Sequence, residues 1–176
     1  MRLIILSVVF MFCIQANATD TSKLVPKDSI KKSSTLPSIE VKTIDGKKVN
    51  IQNYGKTGKI TIISFWATWC GPCIKELDNI IYVYEDWQKK YGCELIAITI
   101  DDSRNISKVK PFVDGRGWPY TILTDENKDL ARALNVNNPP QVLLLDANGN
   151  IVYVHNGYTE GSELELEEQM KKLLGL

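Results

Sequence analysis

The hydrophobic positions of this chain fall into distinct kinds of run, and each kind predicts a different element. Residues 60–66 (Ile60, Thr61, Ile62, Ile63, Ser64, Phe65, Trp66) form a continuous apolar, β-branched stretch. Such a run suits a strand covered on both faces, at the centre of a sheet with parallel neighbours. Residues 95–100 and 142–145 have the same character. Residues 72–91 instead place Ile74, Leu77, Ile80, Ile81, Tyr84 and Trp87 at three- and four-residue steps, the period of a helix with one buried face. Shorter helical patterns occupy 105–114, with Ile106, Val109 and Val113 on one side, and 128–134. A last helix over 163–174 carries Leu166, Met170, Leu173 and Leu174. Residues 39–43 alternate, Asp45-Gly46 turns the chain, and 47–49 resume, which is a hairpin signal. Residues 53–58 read as a polar connection and 121–123 as a short extended piece. Asp146-Ala147-Asn148-Gly149 makes a second turn, from which 151–154 return as a strand.

The predicted order is hairpin, β, α, β, α, α, β, β, α. Parallel βαβ units followed by a ββ hairpin imply an α/β domain, with a mixed sheet and helices on both of its faces. No internal repeat is visible. The pattern begins only at Leu36. Residues 19–35 are rich in Ser, Thr and Lys without apolar periodicity and read as a flexible tether. Before them, Arg2, an apolar run over 3–14 and Ala16-Asn17-Ala18 form the three parts of a secretory signal peptide over 1–18. The run is shorter than the roughly 20 residues that span a bilayer. The expectation is export to the periplasm, with an uncleaved anchor as the alternative. The domain is then 36–176.

Composition narrows the chemistry. Lys plus Arg and Asp plus Glu are equal at 21 each, so there is no basic surplus to hold nucleic acid phosphates. Removal of 1–18 takes only Arg2 and leaves 20 basic and 21 acidic residues. The single His excludes a three-His zinc centre. Of four cysteines, Cys13 lies in the signal, leaving Cys70, Cys73 and Cys93. Three cannot all pair within one chain, so a purely structural disulfide framework does not fit.

Cys70 and Cys73 sit where a buried strand ends and a helix begins. The first helical turn offers unpaired backbone N–H groups and the positive end of the dipole. A thiolate there is stabilised and available near neutral pH. Pro72 suits that turn because its missing N–H costs nothing. The three-residue spacing lets the sulfurs meet, so the pair can cycle between dithiol and disulfide. A static bridge and half of a zinc site are the alternatives; zinc would need two more ligands, for which only Cys93 and His155 remain.

Trp69-Cys70-Gly71-Pro72-Cys73 resembles the active-site sequence of thioredoxin-like oxidoreductases. The signal, the leading hairpin and the added segment over 101–134 resemble the exported TlpA/ResA branch of that superfamily. The resemblance spans 36–176. It implies a thioredoxin fold with an N-terminal β-hairpin and an extra central helical segment. It also implies thiol–disulfide exchange with protein substrates, in some members during cytochrome c maturation. Cys70 resembles the attacking nucleophile and Cys73 the residue that resolves the mixed disulfide. No cofactor is expected beyond the Cys70–Cys73 disulfide, and no metal. Gly71-Pro72 holds no charged side chain or His, which favours a reductant, resupplied with electrons by a membrane dithiol donor and working as a monomer. A disulfide oxidase or isomerase is the enzymatic rival, and a copper-binding thioredoxin-fold module the rival of another class.

Further residues follow from the resemblance. Glu76, three residues past Cys73, matches the branch's Glu at that offset; as a helix neighbour of Cys73 it would accept the resolving proton. Thioredoxin's buried Asp, six residues before the first Cys, is Ser64 here, a poor base. Pro140 matches the family's cis proline before a central strand, and Trp69 flanks the site. Pro139 departs from the usual Val, Thr or Ile and lacks the N–H that would pair with an extended substrate. Asp78 stands where many relatives have a kinking Pro. Cys93 and Trp66 read as core, His155 as a hairpin residue out of phase with Val152 and Val154, and Glu160, Glu163, Glu165, Glu167 and Glu168 as a solvated helix face.

Overall fold

The computed structural model describes residues 34–176. The signal over 1–18 and most of the tether over 19–35 lie outside them. The strands are β1 (Ser34–Thr35), β2 (Glu40–Thr43), β3 (Lys48–Asn50), β4 (Thr61–Trp66), β5 (Glu94–Thr99), β6 (Thr121–Thr124), β7 (Gln141–Leu145) and β8 (Asn150–Asn156). The helices are α1 (Gly71–Tyr91), α2 (Ile106–Arg116), α3 (Asp129–Ala133) and α4 (Ser162–Leu174). All strands join one sheet in the order β1-β8-β7-β4-β5-β6-β2-β3. β4, β5 and β6 run parallel, and the other pairings are antiparallel.

The continuous apolar runs became the centre of the sheet. Every residue of β4 and β7 is buried, as are all but the first of β5. Burial at successive residues means that both faces of these strands are covered. The early hairpin β2–β3 extends the sheet through β6, with Thr43 opposite Leu123. This is the mixed α/β sheet expected of a thioredoxin fold.

Two elements differ from expectation. Ser34 and Thr35, assigned to the tether, pair with Ile151 and Asn150 of β8; both are exposed polar residues, so only the partner strand makes them extended. Residues 51–56 form a 3-10 helix where a plain connection was expected. Asn50 caps it, accepting from the Gln52 N–H at 2.9 Å. The β7–β8 turn packs against that helix. Gly149 has φ 80°, and a Cβ there would meet the Gly55 carbonyl oxygen at 2.2 Å, so only glycine fits.

Helix α1 sets the site. Pro72 lies in its first turn, Lys89 and Lys90 in its last, and Gly92 closes it at φ 61°, as helix termini prefer. Its buried stripe of Leu77, Ile80, Tyr84 and Trp87 matches the predicted periodicity. Asp78 does not interrupt the helix; its Oδ1 accepts from Trp118 Nε1 at 2.9 Å, and its Oδ2 pairs with Arg116. Trp66 is core as expected: fully buried, with its ring 4.9 Å from Trp118 and 5.8 Å from Phe112.

Candidate active site

The site grows from the loop between β4 and α1. Cys70 is the N-cap of α1, in extended conformation, and its sulfur accepts from the Cys73 N–H at 3.3 Å. Cys70 and Cys73 are joined in a disulfide, with Cα atoms 5.3 Å apart. Cys73 is fully buried and Cys70 is 6% exposed. The difference orders the two residues: Cys70 is the more exposed. Trp69 beside it is largely exposed. Gly71 and Pro72 border an open cleft of about 660 Å³, with Lys75, Asn79, Tyr158 and Glu160 on its other sides.

A buried carboxylate fixes this loop from below. Asp101, fully buried just past β5, accepts from the Thr68 N–H at 2.8 Å and the Thr68 hydroxyl at 2.7 Å. It also accepts from the Thr99 hydroxyl at 2.6 Å. Thr68 lies two residues before Cys70, so Asp101 holds the approach to the nucleophile. Sequence reasoning passed over Asp101, although a carboxylate ending an apolar strand is a signal that something must pair with it.

Glu76 is buried, 3% exposed, one turn beyond Cys73 on α1. Ser64 on β4 donates a hydrogen bond to its Oε2 at 2.9 Å. Burial pushes the Glu76 carboxyl up to about 7, the Ser64 hydrogen bond opposes this, and the charge of Glu163 adds to it. Thus Ser64, at the position of thioredoxin's buried acid, orients Glu76.

Pro140 reaches the same end of the sheet through register. Phe65 of β4 pairs with Gln141 of β7, so the residue before Gln141 lies beside the end of β4 that leads to Cys70. The Pro139–Pro140 peptide bond is cis. Pro140 is buried, and its carbonyl accepts from the Gly157 N–H at 2.8 Å. Pro139 is half-buried and has no N–H to offer.

His155 keeps the phase expected of it, and one predicted surface residue, Glu163, lies elsewhere than expected. On β8 the half-buried phase is Ile151, Tyr153 and His155, while Val152 and Val154 are exposed. His155 thus faces inward, with Val142, Glu76 and Glu163, around a small cavity. On α4, Glu163 turns inward, and its Oε2 is buried without a hydrogen-bond partner among the described residues. The spacing of Glu163, Leu166 and Met170 placed Glu163 on the buried stripe, a signal that the dense glutamate run obscured. Glu165 and Glu167 accept from Tyr153 and Tyr91. Cys93 is buried, and burial pushes its thiol up to about 11, consistent with an inert core residue.

Residues 33–154 match the AhpC/TSA family. The chain belongs to that family. Among AhpC/TSA relatives, the thiol-disulfide oxidoreductase ResA of Bacillus thuringiensis subsp. konkukian is 30% identical, over 78% of this chain and 75% of its own length. Among solved structures, an uncharacterized thioredoxin-like protein from Porphyromonas gingivalis is 49% identical, with a TM-score of 0.71 over 78% of this chain and 90% of its own. StoA from Bacillus subtilis is 26% identical, with a TM-score of 0.59 over 74% and 98%. With its Cys70–Cys73 pair, this AhpC/TSA member is a thioredoxin-like thiol–disulfide oxidoreductase.

Proposed function

We propose that this protein reduces protein disulfides outside the cytoplasm and is returned to the dithiol state by a membrane dithiol donor. The observation that carries the reading is Cys70 capping α1, its sulfur on a helix amide, with buried Cys73 and Glu76 behind it. In the reduced state the same amides and the helix dipole favour the Cys70 thiolate. That thiolate attacks one sulfur of a substrate disulfide, and the other sulfur leaves as a thiolate. Cys73 then gives its proton to ionised Glu76 and attacks the Cys70 sulfur. The second substrate thiolate leaves, and two electrons have passed to the substrate at the cost of a Cys70–Cys73 disulfide. The donor dithiol restores the pair by the reverse exchange.

Direction follows from what surrounds the sulfurs. Between them stand only glycine and proline. No loop cation stabilises the Cys70 thiolate as a strong oxidant requires. Both cysteines and Glu76 come from one helix, so a single chain is a sufficient unit. Cytochrome c apoprotein disulfides belong to the substrate class that the resemblance to the ResA branch suggests. The test is trapping with Cys73→Ser in cells. Mixed disulfides through Cys70 should accumulate on exported proteins and be identified by mass spectrometry. Absence of Cys70 adducts, or adducts confined to cytoplasmic proteins, would overturn the reading.

A further inference from the structure

Behind the disulfide, α1, β7, β8 and α4 enclose a cavity of about 10 Å³, lined by Glu76, Ile80, Val142, Tyr153, His155, Ser162, Glu163 and Leu166. That is room for a single water molecule, which needs polar partners to stay. The wall supplies them. Glu76 enters from α1 and Glu163 from α4, the latter with a buried Oε2 that has no hydrogen-bond partner among the described residues. An isolated buried carboxylate oxygen is costly unless it shares a proton or a water. From β8, His155 closes the side, 27% exposed, its Nδ1 3.2 Å from the Tyr153 hydroxyl. From β4, Ser64 donates to Glu76. Tyr158, before α4, accepts from Asn79 at 2.5 Å, and Tyr153 donates to Glu165 at 2.8 Å.

We propose that Glu76 and Glu163 act as an acid pair that holds one proton across this cavity, so that Glu163 is a positioning residue setting the pH range in which Glu76 takes the Cys73 proton. The inference rests on the reading of Glu76 as the base of the resolving step. Its physics is that of paired carboxyls: ionising both places like charges in one water-poor space, so the second proton is held more tightly than either alone would hold it. The Glu163 charge accordingly raises the Glu76 carboxyl, on top of burial. The balance is closed. Cys73 loses a proton, the pair gains it, and it leaves to solvent past half-exposed His155 before the next turnover.

The test is single-turnover oxidation of the reduced full chain by dithiobis-nitrobenzoate, followed from pH 5 to 9. The first coloured thiolate reports attack by Cys70, and the second reports resolution by Cys73. In wild type the second phase should rise with pH about a midpoint near 7. In Glu163→Gln the midpoint should fall by about one pH unit. Resolution at pH 6 should then be about fivefold faster than wild type, because the ionised fraction of Glu76 grows from about a tenth to about a half. At pH 8 the weaker base should make it slower. Glu163→Asp keeps the charge and should stay near the wild-type midpoint. A midpoint unmoved by Glu163→Gln, or a uniform slowing at every pH, overturns the proposal. Glu76→Gln separates the two readings. If it leaves the second-phase profile intact, Glu76 is not the base; if it flattens the profile while Glu163→Gln shifts nothing, only the pairing fails. Should Glu163→Gln not fold, Glu163→Ser takes its place in the same assay: a midpoint shifted downward supports the pairing, and an unmoved midpoint overturns it.

Discussion

Glu76→Gln should make the protein more stable above neutral pH while making it a poorer catalyst. Glu76 is 3% exposed, and its Oε2 accepts one hydrogen bond, from Ser64 at 2.9 Å. Glutamine preserves the shape and can still accept that bond through Oε1. What it removes is the charge. Folded Glu76 keeps its proton up to about pH 7, because burial disfavours the carboxylate, whereas its ordinary value is 4.5. Between those values the native state binds more protons than the unfolded chain, so raising the pH favours unfolding. Each pH unit separating the two values corresponds to about 1.4 kcal/mol. Wild type therefore loses about 3 kcal/mol across this window that the variant keeps. Urea unfolding of both oxidised proteins from pH 4.5 to 8 measures it. Taking the difference between the two cancels the titrating groups that do not couple to Glu76. The stability advantage of the variant should grow by about 3 kcal/mol and level off above pH 7.5. A difference that stays constant with pH would refute the reasoning, since Glu76 would then ionise in the fold as an ordinary surface glutamate does.

Other perturbations reach other parts of the site. Asp101→Ala strips Thr68 of its acceptor at 2.8 Å; stability should fall by about 2 kcal/mol, and attack by Cys70 should slow in stopped-flow, whereas an unchanged Cys70 rate would show that the loop holds its shape alone. Pro139→Thr gives the residue before the cis Pro140 a backbone N–H; turnover of at least some extended peptide disulfides should rise, and identical turnover of every substrate tested would remove any role of Pro139 in substrate pairing. Cys93, with its thiol raised to about 11 by burial, should resist iodoacetamide at pH 8, so that mass spectrometry finds it unlabelled in the reduced native protein and labelled after denaturation; labelling of Cys93 in the native protein would refute its being inert.

The parts of the fold that were legible in the sequence are those where one local pattern suffices. β4 and β7 announce themselves because strands covered on both faces need no polar residues. Helix α1 does so because its stripe and its Pro72 agree. The cysteine pair and Pro140 were legible for the same reason, since each is a short motif with a fixed neighbour. What was missed depends on a partner distant in the chain. Ser34 and Thr35 are a strand only because β8 passes them. His155 was read out of phase with Val152 and Val154, as the structure has it, but alternation along 151–155 does not itself say which of the two sides is covered. Glu163 was lost among its neighbours because charge density speaks for solvent, while helical phase spoke for the core. Asp101 pairs with Thr68 and Thr99, and only the first of these contacts spans the chain. The two missed acids, Asp101 and Glu163, stand near the redox pair, where a buried acid has a chemical use that outweighs its cost.

The central claim, that the Cys70–Cys73 pair works as a reductant, is tested most directly by its equilibrium with redox buffers of known potential. Intrinsic Trp fluorescence or alkylation followed by mass spectrometry reads the oxidised fraction. With only Gly71-Pro72 between the sulfurs, the pair should have a potential near that of thioredoxin, about −270 mV at pH 7. A value of about −180 mV or higher, in the range of isomerases and oxidants, would contradict the account.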